Sequence, residues 1–201
     1  MRIRLERLYI EYTEFCRERK IYDVLDKITP ENIHLQGSTE GVFISGKASA
    51  CRRAVEFALF LANKHNRGTD DDELRYGAIW GLHEYYEIIA RGDRYLTRSQ
   101  VEHLQAAVLV SEQCYFALRS RSVQNEEFRM WSPKPKFHMW LHLADDFIGV
   151  TFINPRFTWC YMDEDFVGRI SEPNVCAFLR CSLAPRNSRW RWGPWRKQIP
   201  L

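Results

Sequence analysis

The sequence predicts a mainly α protein: a helical bundle with a small irregular C-terminal subdomain and a basic aromatic tail. Three observations carry this expectation. Long segments repeat apolar residues every three or four positions, the period of a helix with one buried stripe. Capping residues and glycines stand at the ends of those segments. Positive charge gathers at one end: residues 180–201 hold Arg180, Arg186, Arg189, Arg191, Arg196 and Lys197 and no acid, a charge of +6. The whole chain is +3, so residues 1–179 sum to −3.

The elements follow in order. Residues 3–20 set Leu5, Leu8, Tyr9, Tyr12, Phe15 and Cys16 on one stripe, a first helix. Thr29-Pro30-Glu31 places a cap before a proline, the pattern of a short helical turn. Gly37, Gly41 and Gly46 surround Val42-Phe43-Ile44, a loop or one short extended segment. Residues 47–65 carry Cys51, Ala54, Val55, Ala58, Leu59 and Ala62, a face for close helix packing. Asp70 with Glu73 marks the next start, a helix over 71–91 bearing Leu74, Ala78, Leu82, Tyr85, Tyr86 and Ile89. Thr97-x-x-Gln100 is a capping box for a helix to about residue 119, with Val101, Leu104, Val108, Cys114, Tyr115 and Leu118 inward. Short loops make these three helices antiparallel neighbours.

Past residue 120 the pattern changes. Ser120–Glu127 reads as a polar loop, and Ser132-Pro133-Lys134-Pro135 forces an extended approach to a helix from Pro135 to about Asp146. Phe147–Tyr161 reads as one or two short strands or an irregular connection, and short helices follow over 163–171 and 173–182. The expected domains are a bundle over 1–120, a subdomain over 121–184 packed on it, and the tail over 185–201.

Composition narrows the class. With 201 residues, 45 % hydrophobic and 27 % charged, the chain is globular and long enough to build a core without covalent staples. No run of apolar residues is long enough to span a membrane. The N-terminal residues lack the apolar centre of a signal peptide. The six cysteines, irregularly spaced and partly on apolar helix faces, are expected as free thiols in a reducing, intracellular compartment. Cys51 and Cys114 are expected to be small buried hydrophobes.

Four clusters could carry chemistry. Gly41-x4-Gly46-Lys47-Ala48 approaches the phosphate-binding loop, but Ala48 stands where a magnesium-binding hydroxyl is needed, so nucleotide binding is not expected. His138 and His142 share a helix face, with Asp145 and Asp146 one turn on: half of a metal site, or ordinary polar residues flanking the core positions Trp140, Leu141 and Leu143. Asp163-Glu164-Asp165 after Trp159-Cys160-Tyr161-Met162 is either a helix N-terminus or a set of metal-binding acids. In the tail, Arg189, Arg191, Arg196 and Lys197 alternate with Trp190, Trp192 and Trp195. Such cations neutralise phosphates and such rings stack on unpaired bases. The same residues would also suit an anionic membrane surface or a fold-back onto the acidic body.

Several of these segments together resemble a known family. Pro135-Lys136-Phe137-His138-x3-His142-Leu143, Asn154-Pro155-Arg156-Phe157 and Asp163-Glu164-Asp165-Phe166-x-Gly168-Arg169 are similar to the C-terminal part of transposase-like proteins of protist mobile elements, of the dinoflagellate type. Upstream, Leu5-x2-Leu8-Tyr9-x2-Tyr12-x3-Cys16, Gly46-Lys47-Ala48-Ser49-Ala50 and Tyr95-Leu96-Thr97 share the likeness, which covers most of residues 1–170. Transposases of the DDE type use three acids and two divalent ions to activate water and then a 3′ hydroxyl. The resemblance implies that Glu164, flanked by Asp163 and Asp165, is the third acid, that His138 or His142 stands near it at the metal, and that Mg²⁺ or Mn²⁺ is the ion. It also implies two further acids on upstream strands, which this helical sequence does not offer.

The expectation is therefore a nucleic-acid-binding, transposase-derived protein, catalytically incomplete alone and intracellular, with the nucleus as one location. A metal-dependent nuclease completed by a missing segment or by oligomer formation is the first alternative. A helical protein-interaction module with no nucleic-acid role is the second.

Overall fold

A computed structural model describes residues 2–22, 24–25, 27–31, 33, 48–126 and 130–158. The chain divides into two compact units, residues 1–159 and 160–201, and every described residue belongs to the first. That unit is a helical bundle, as the periodicity predicts. Its elements are α1 (Arg2–Glu18), α2 (Ala48–Lys64), α3 (Asp70–Arg91), α4 (Arg98–Gln124) and α5 (Pro135–His142). A π-helical segment (Leu143–Ile148), a last turn α6 (Gly149–Thr151) and a 3₁₀ turn (Pro155–Thr158) continue the chain. Among the described residues, no helix is long and apolar enough to cross a membrane.

Two apolar clusters hold the unit together. In the first, α1 brings Tyr12, Phe15 and Cys16 against Ala50 and Phe57 of α2, with Leu25 and Ile28 closing the side. The predicted α1 stripe is the buried one. On α2, Phe57, Phe60 and Leu61 join Ala50 and the expected face residues Cys51 and Ala54 in this cluster. Phe15 packs on both phenyl rings, at centroid distances of 5.3 and 5.2 Å, and rings of that size bury more area than alanines can. Cys16 is buried, whereas Cys51 and Cys114 are only half-buried, short of the expectation for both. All three are free thiols, pushed above the ordinary range by desolvation.

In the second cluster Tyr85 and Ile89 of α3 meet Val101, Leu104 and Val108 of α4, and Ala144 and Ile148 of the π segment cover them. Ile89, Leu104 and Ile148 are fully buried, each contributing about 1.5–3 kcal/mol. Helices α3 and α4 are antiparallel: Asp71 pairs with Arg121, Gly77 faces Cys114, and Gly81 faces Ala107. At Gly81 a Cβ would lie 2.2 Å from the Ala107 carbonyl oxygen, so only glycine allows this approach. The Ser111 hydroxyl uses the closeness, donating across the interface to the Ala78 carbonyl at 2.6 Å.

Three boundaries differ from expectation. The N-cap of α3 is Thr69, not Asp70; its hydroxyl accepts from the Asp72 amide, and Asp70 begins the helix. Helix α4 runs to Gln124 through the stretch expected to be a loop. Tertiary contacts override its polar composition: Arg121 pairs with Asp70 and Asp71, Ser122 is buried, and Arg119 donates to the Met130 carbonyl. The predicted capping box at Thr97 and Gln100 is present, with both reciprocal bonds formed.

The third difference follows residue 146, where short strands or an irregular connection are expected: helical structure continues to Thr151, and one isolated antiparallel bridge joins Tyr95 and Ile153. Phe152 ends the helix at φ 59°, in the left-handed region. The reversal lets Leu96 donate to the Phe152 carbonyl at 2.8 Å and Asn154 donate to that of Arg94 at 3.0 Å. The buried Asn154 side chain then caps the C-terminal end of α3.

Candidate functional site

The sequence-predicted site residues fall into two groups. Asp163, Glu164 and Asp165, and the tail residues Arg189, Trp190, Arg191, Trp192, Trp195, Arg196 and Lys197, lie outside the described residues. So do the near-phosphate-loop residues Gly41–Lys47. His138 and His142 are described, on α5, and the structure brings them together.

Helix α5 starts because Pro135 occupies its first position, where a missing N–H costs nothing, and Lys134 ahead of it is extended. Its inward side holds Phe137, Trp140 and Leu141. Phe137 stacks on Tyr115 of α4 at a centroid distance of 4.6 Å, and Trp140 meets Tyr85 edge-on at 5.5 Å. Packing therefore fixes the rotation of α5 about its axis and turns the other side, with His138 and His142, to solvent.

On that exposed side the two imidazoles form a linked pair. Their Nε2 atoms are 3.0 Å apart, and the rings meet edge-on with centroids 4.4 Å apart. The other nitrogen of His142, Nδ1, lies 2.5 Å from Oδ2 of Asp146, one turn further on in the π segment. The histidines thus bond to each other and to a carboxylate. Asp145, its neighbour, is exposed and takes no part in the pair. In the tautomer that donates from Nδ1 to Asp146, Nε2 of His142 is an acceptor and turns its lone pair to His138.

Next to His142 runs an open apolar groove lined by Lys136, Met139, Trp140, His142, Leu143 and Phe147. Sequence reasoning assigned Trp140 and Leu143 to the core and did not find the groove. Its one visible signal was Met139, an apolar residue on the same side as the histidines and well exposed in the structure. Among the described residues, no three His, Cys, Asp or Glu side chains converge to hold a metal ion.

A second polar cluster surrounds the start of α3, where Thr69, Asp70, Asp71, Asp72, Arg75 and Arg121 line a broad depression. Here the charges satisfy one another. Asp72 accepts from the Thr69 hydroxyl at 2.7 Å and from the Arg67 amide at 3.2 Å, which holds its carboxyl below the usual range. Arg121 pairs with Asp70 and Asp71, Arg75 with Asp71 and Asp72, and Glu73 accepts from the Asn66 side-chain amide. The cluster fastens α4 to the start of α3.

Compared with known proteins, the chain matches no protein-family model, no curated protein and no solved structure.

Proposed function

We propose that this protein binds nucleic acid through its C-terminal tail, mainly by phosphate neutralisation and base stacking, and that it derives from a transposase without supplying a complete catalytic centre of its own. One observation carries the reading: residues 180–201 hold six cations and no acid, and three indoles are interleaved with four of those cations between Arg189 and Lys197. Cations release the condensed counterions of a nucleic acid, and indoles stack on unpaired bases whatever their identity. Binding of this kind favours single strands and reads sequence weakly, because phosphates carry no sequence information. The transposase origin rests on the motif likeness described above, chiefly Pro135–Leu143, Asn154–Phe157 and Asp163–Arg169. A net charge of −3 over residues 1–179 supports a division of labour, in which the tail and not the body attracts a polyanion.

The test is fluorescence anisotropy with labelled single-stranded and duplex oligonucleotides across a salt series. The full chain is compared with a variant carrying Arg189→Gln, Arg191→Gln, Arg196→Gln and Lys197→Gln. Four lost phosphate contacts should flatten the log–log salt slope by about 3 units. A companion variant with Trp190, Trp192 and Trp195 changed to Ala should weaken single-strand binding more than duplex binding. If the unaltered chain binds neither oligonucleotide at low salt, the proposal fails.

A further inference from the structure

We infer that His138 and His142 form a two-imidazole site for a divalent transition-metal ion of the Zn²⁺, Ni²⁺ or Cu²⁺ class, with Asp146 as the residue that orients His142. The inference stands on the described body alone and is independent of the tail.

The geometry has three parts. First, two Nε2 atoms 3.0 Å apart on adjacent turns must share something, either one proton or one ion. With bonds of about 2.0–2.1 Å to each nitrogen, that separation closes an angle of about 95° at the ion, the bite of two neighbouring ligands. Opening it to a tetrahedral angle needs about 0.3–0.4 Å more between the nitrogens, within reach of small side-chain rotations on an exposed helix face. Second, the Asp146 carboxylate sits on Nδ1 of His142 at 2.5 Å, the arrangement that fixes tautomer and ring orientation behind a metal-bound imidazole. Third, the backbone is held. The inward side of α5 is stacked on Tyr115 and packed edge-on against Tyr85, and the π segment carrying Asp146 is anchored by the fully buried Ala144 and Ile148. Single π turns inside helices accompany functional sites, and here the π turn carries the orienting carboxylate.

The donor set selects the ion. Imidazole nitrogens suit Zn²⁺, Ni²⁺ and Cu²⁺, whereas Mg²⁺ prefers carboxylate, carbonyl and water oxygens. Since no third His, Cys, Asp or Glu of the described residues joins the pair, the remaining positions fall to water or to an exogenous ligand. The apolar groove beside His142 gives such a ligand a wall formed by Trp140, Leu143 and Phe147.

The test uses the full-length chain and Zn²⁺ alone as probe, with ¹H–¹⁵N spectra of the histidine rings. The His138 and His142 signals are assigned by their loss in His138→Gln and His142→Gln. At one equivalent of Zn²⁺ the Nε2 resonances of both rings should move together, and either substitution should raise the Kd at least tenfold. Asp146→Asn should raise it about tenfold or more while leaving both rings coordinated. All three side chains are exposed, so far-UV circular dichroism of the metal-free variants should match the parent. If both ring signals stay fixed while Zn²⁺ binds elsewhere or nowhere, the pair is a hydrogen bond only and the inference falls. An unchanged Kd in Asp146→Asn removes the orienting role.

Discussion

The side-chain amide of Asn154 donates to the carbonyl of Ile89, 65 residues earlier, at 2.9 Å, with neither residue exposed. The same amide nitrogen lies 3.1 Å from the Gly92 carbonyl and 3.0 Å from that of Asp93. A helix leaves its last carbonyls without intrahelical partners; at the end of α3 the Asn154 amide serves that of Ile89 and the turn beyond it, and the Arg156 guanidinium donates to that of Ala90. Its own oxygen accepts from the Arg156 amide at 3.0 Å, which holds the amide the right way round.

Replacing that amide should therefore destabilise the whole unit. Asn154→Ala is expected to cost about 2–3 kcal/mol, because buried carbonyls would lose their donor. Asn154→Asp should cost more, since a carboxylate turned on those carbonyls repels them. Urea unfolding followed by circular dichroism measures both; equal stability of Asn154→Ala and the parent would contradict the capping role.

The two glycines of α3 that face α4 should respond differently to alanine. A Cβ on Gly77 meets the Cys114 sulfur at 2.6 Å, a side chain that can be shortened. A Cβ on Gly81 meets the backbone oxygen of Ala107, which cannot. Each substitution should cost about 1–3 kcal/mol. In a double-mutant cycle Cys114→Ala should recover most of the Gly77→Ala loss and none of the Gly81→Ala loss.

Tyr12 ties α1 to the segment after it. Its fully buried hydroxyl oxygen accepts from the Leu25 amide at 3.1 Å, and burial raises its pKa to about 12 from the ordinary 10.0. A folded-state pKa above the unfolded one means that the folded chain holds the proton longer. Stability from this group is therefore complete below pH 10 and is lost as pH rises toward 12. Tyr12→Phe should lose about 1–3 kcal/mol at neutral pH, from the orphaned amide, and should flatten the alkaline decline in thermal-melt profiles.

At the start of α3 the sign is opposite. The Thr69 hydroxyl and the Arg67 amide depress the Asp72 pKa, so its contribution is present above the ordinary carboxylate range and is lost as pH falls through the depressed value. The stability difference between the parent and Asp72→Asn should accordingly shrink on acidification. Thr69→Ala should cost about 1 kcal/mol at neutral pH, the usual loss for a helix cap. Chemical denaturation at a series of acidic pH values checks both.

Much of this architecture was legible one helix at a time. The α1 stripe from Leu5 to Cys16, the Thr97–Gln100 capping box and the proline start of α5 all depend on neighbours within four positions, and all are in the structure. The pairing of His138 with His142 was readable for the same reason: a spacing of four puts two side chains on one helical face. The groove beside them was not, because its walls depend on which way packing turns α5.

What the sequence determined by itself is the set of local decisions: where helices start, which stripe is apolar, and where positive charge collects. Each arises from interactions spanning a turn or less, or from composition alone. Tertiary structure decided the rest. It carried α4 past its polar end through Arg121 and Ser122, and brought Phe57 and Phe60 of α2 into the cluster with α1. It also continued helix through Phe147 and Ile148, which pack in the α3–α4 cluster, where the sequence left short strands or an irregular connection open, and formed one bridge at Ile153. Contacts between residues far apart in the chain have no local signature, and they settle every position at which local preference is weak.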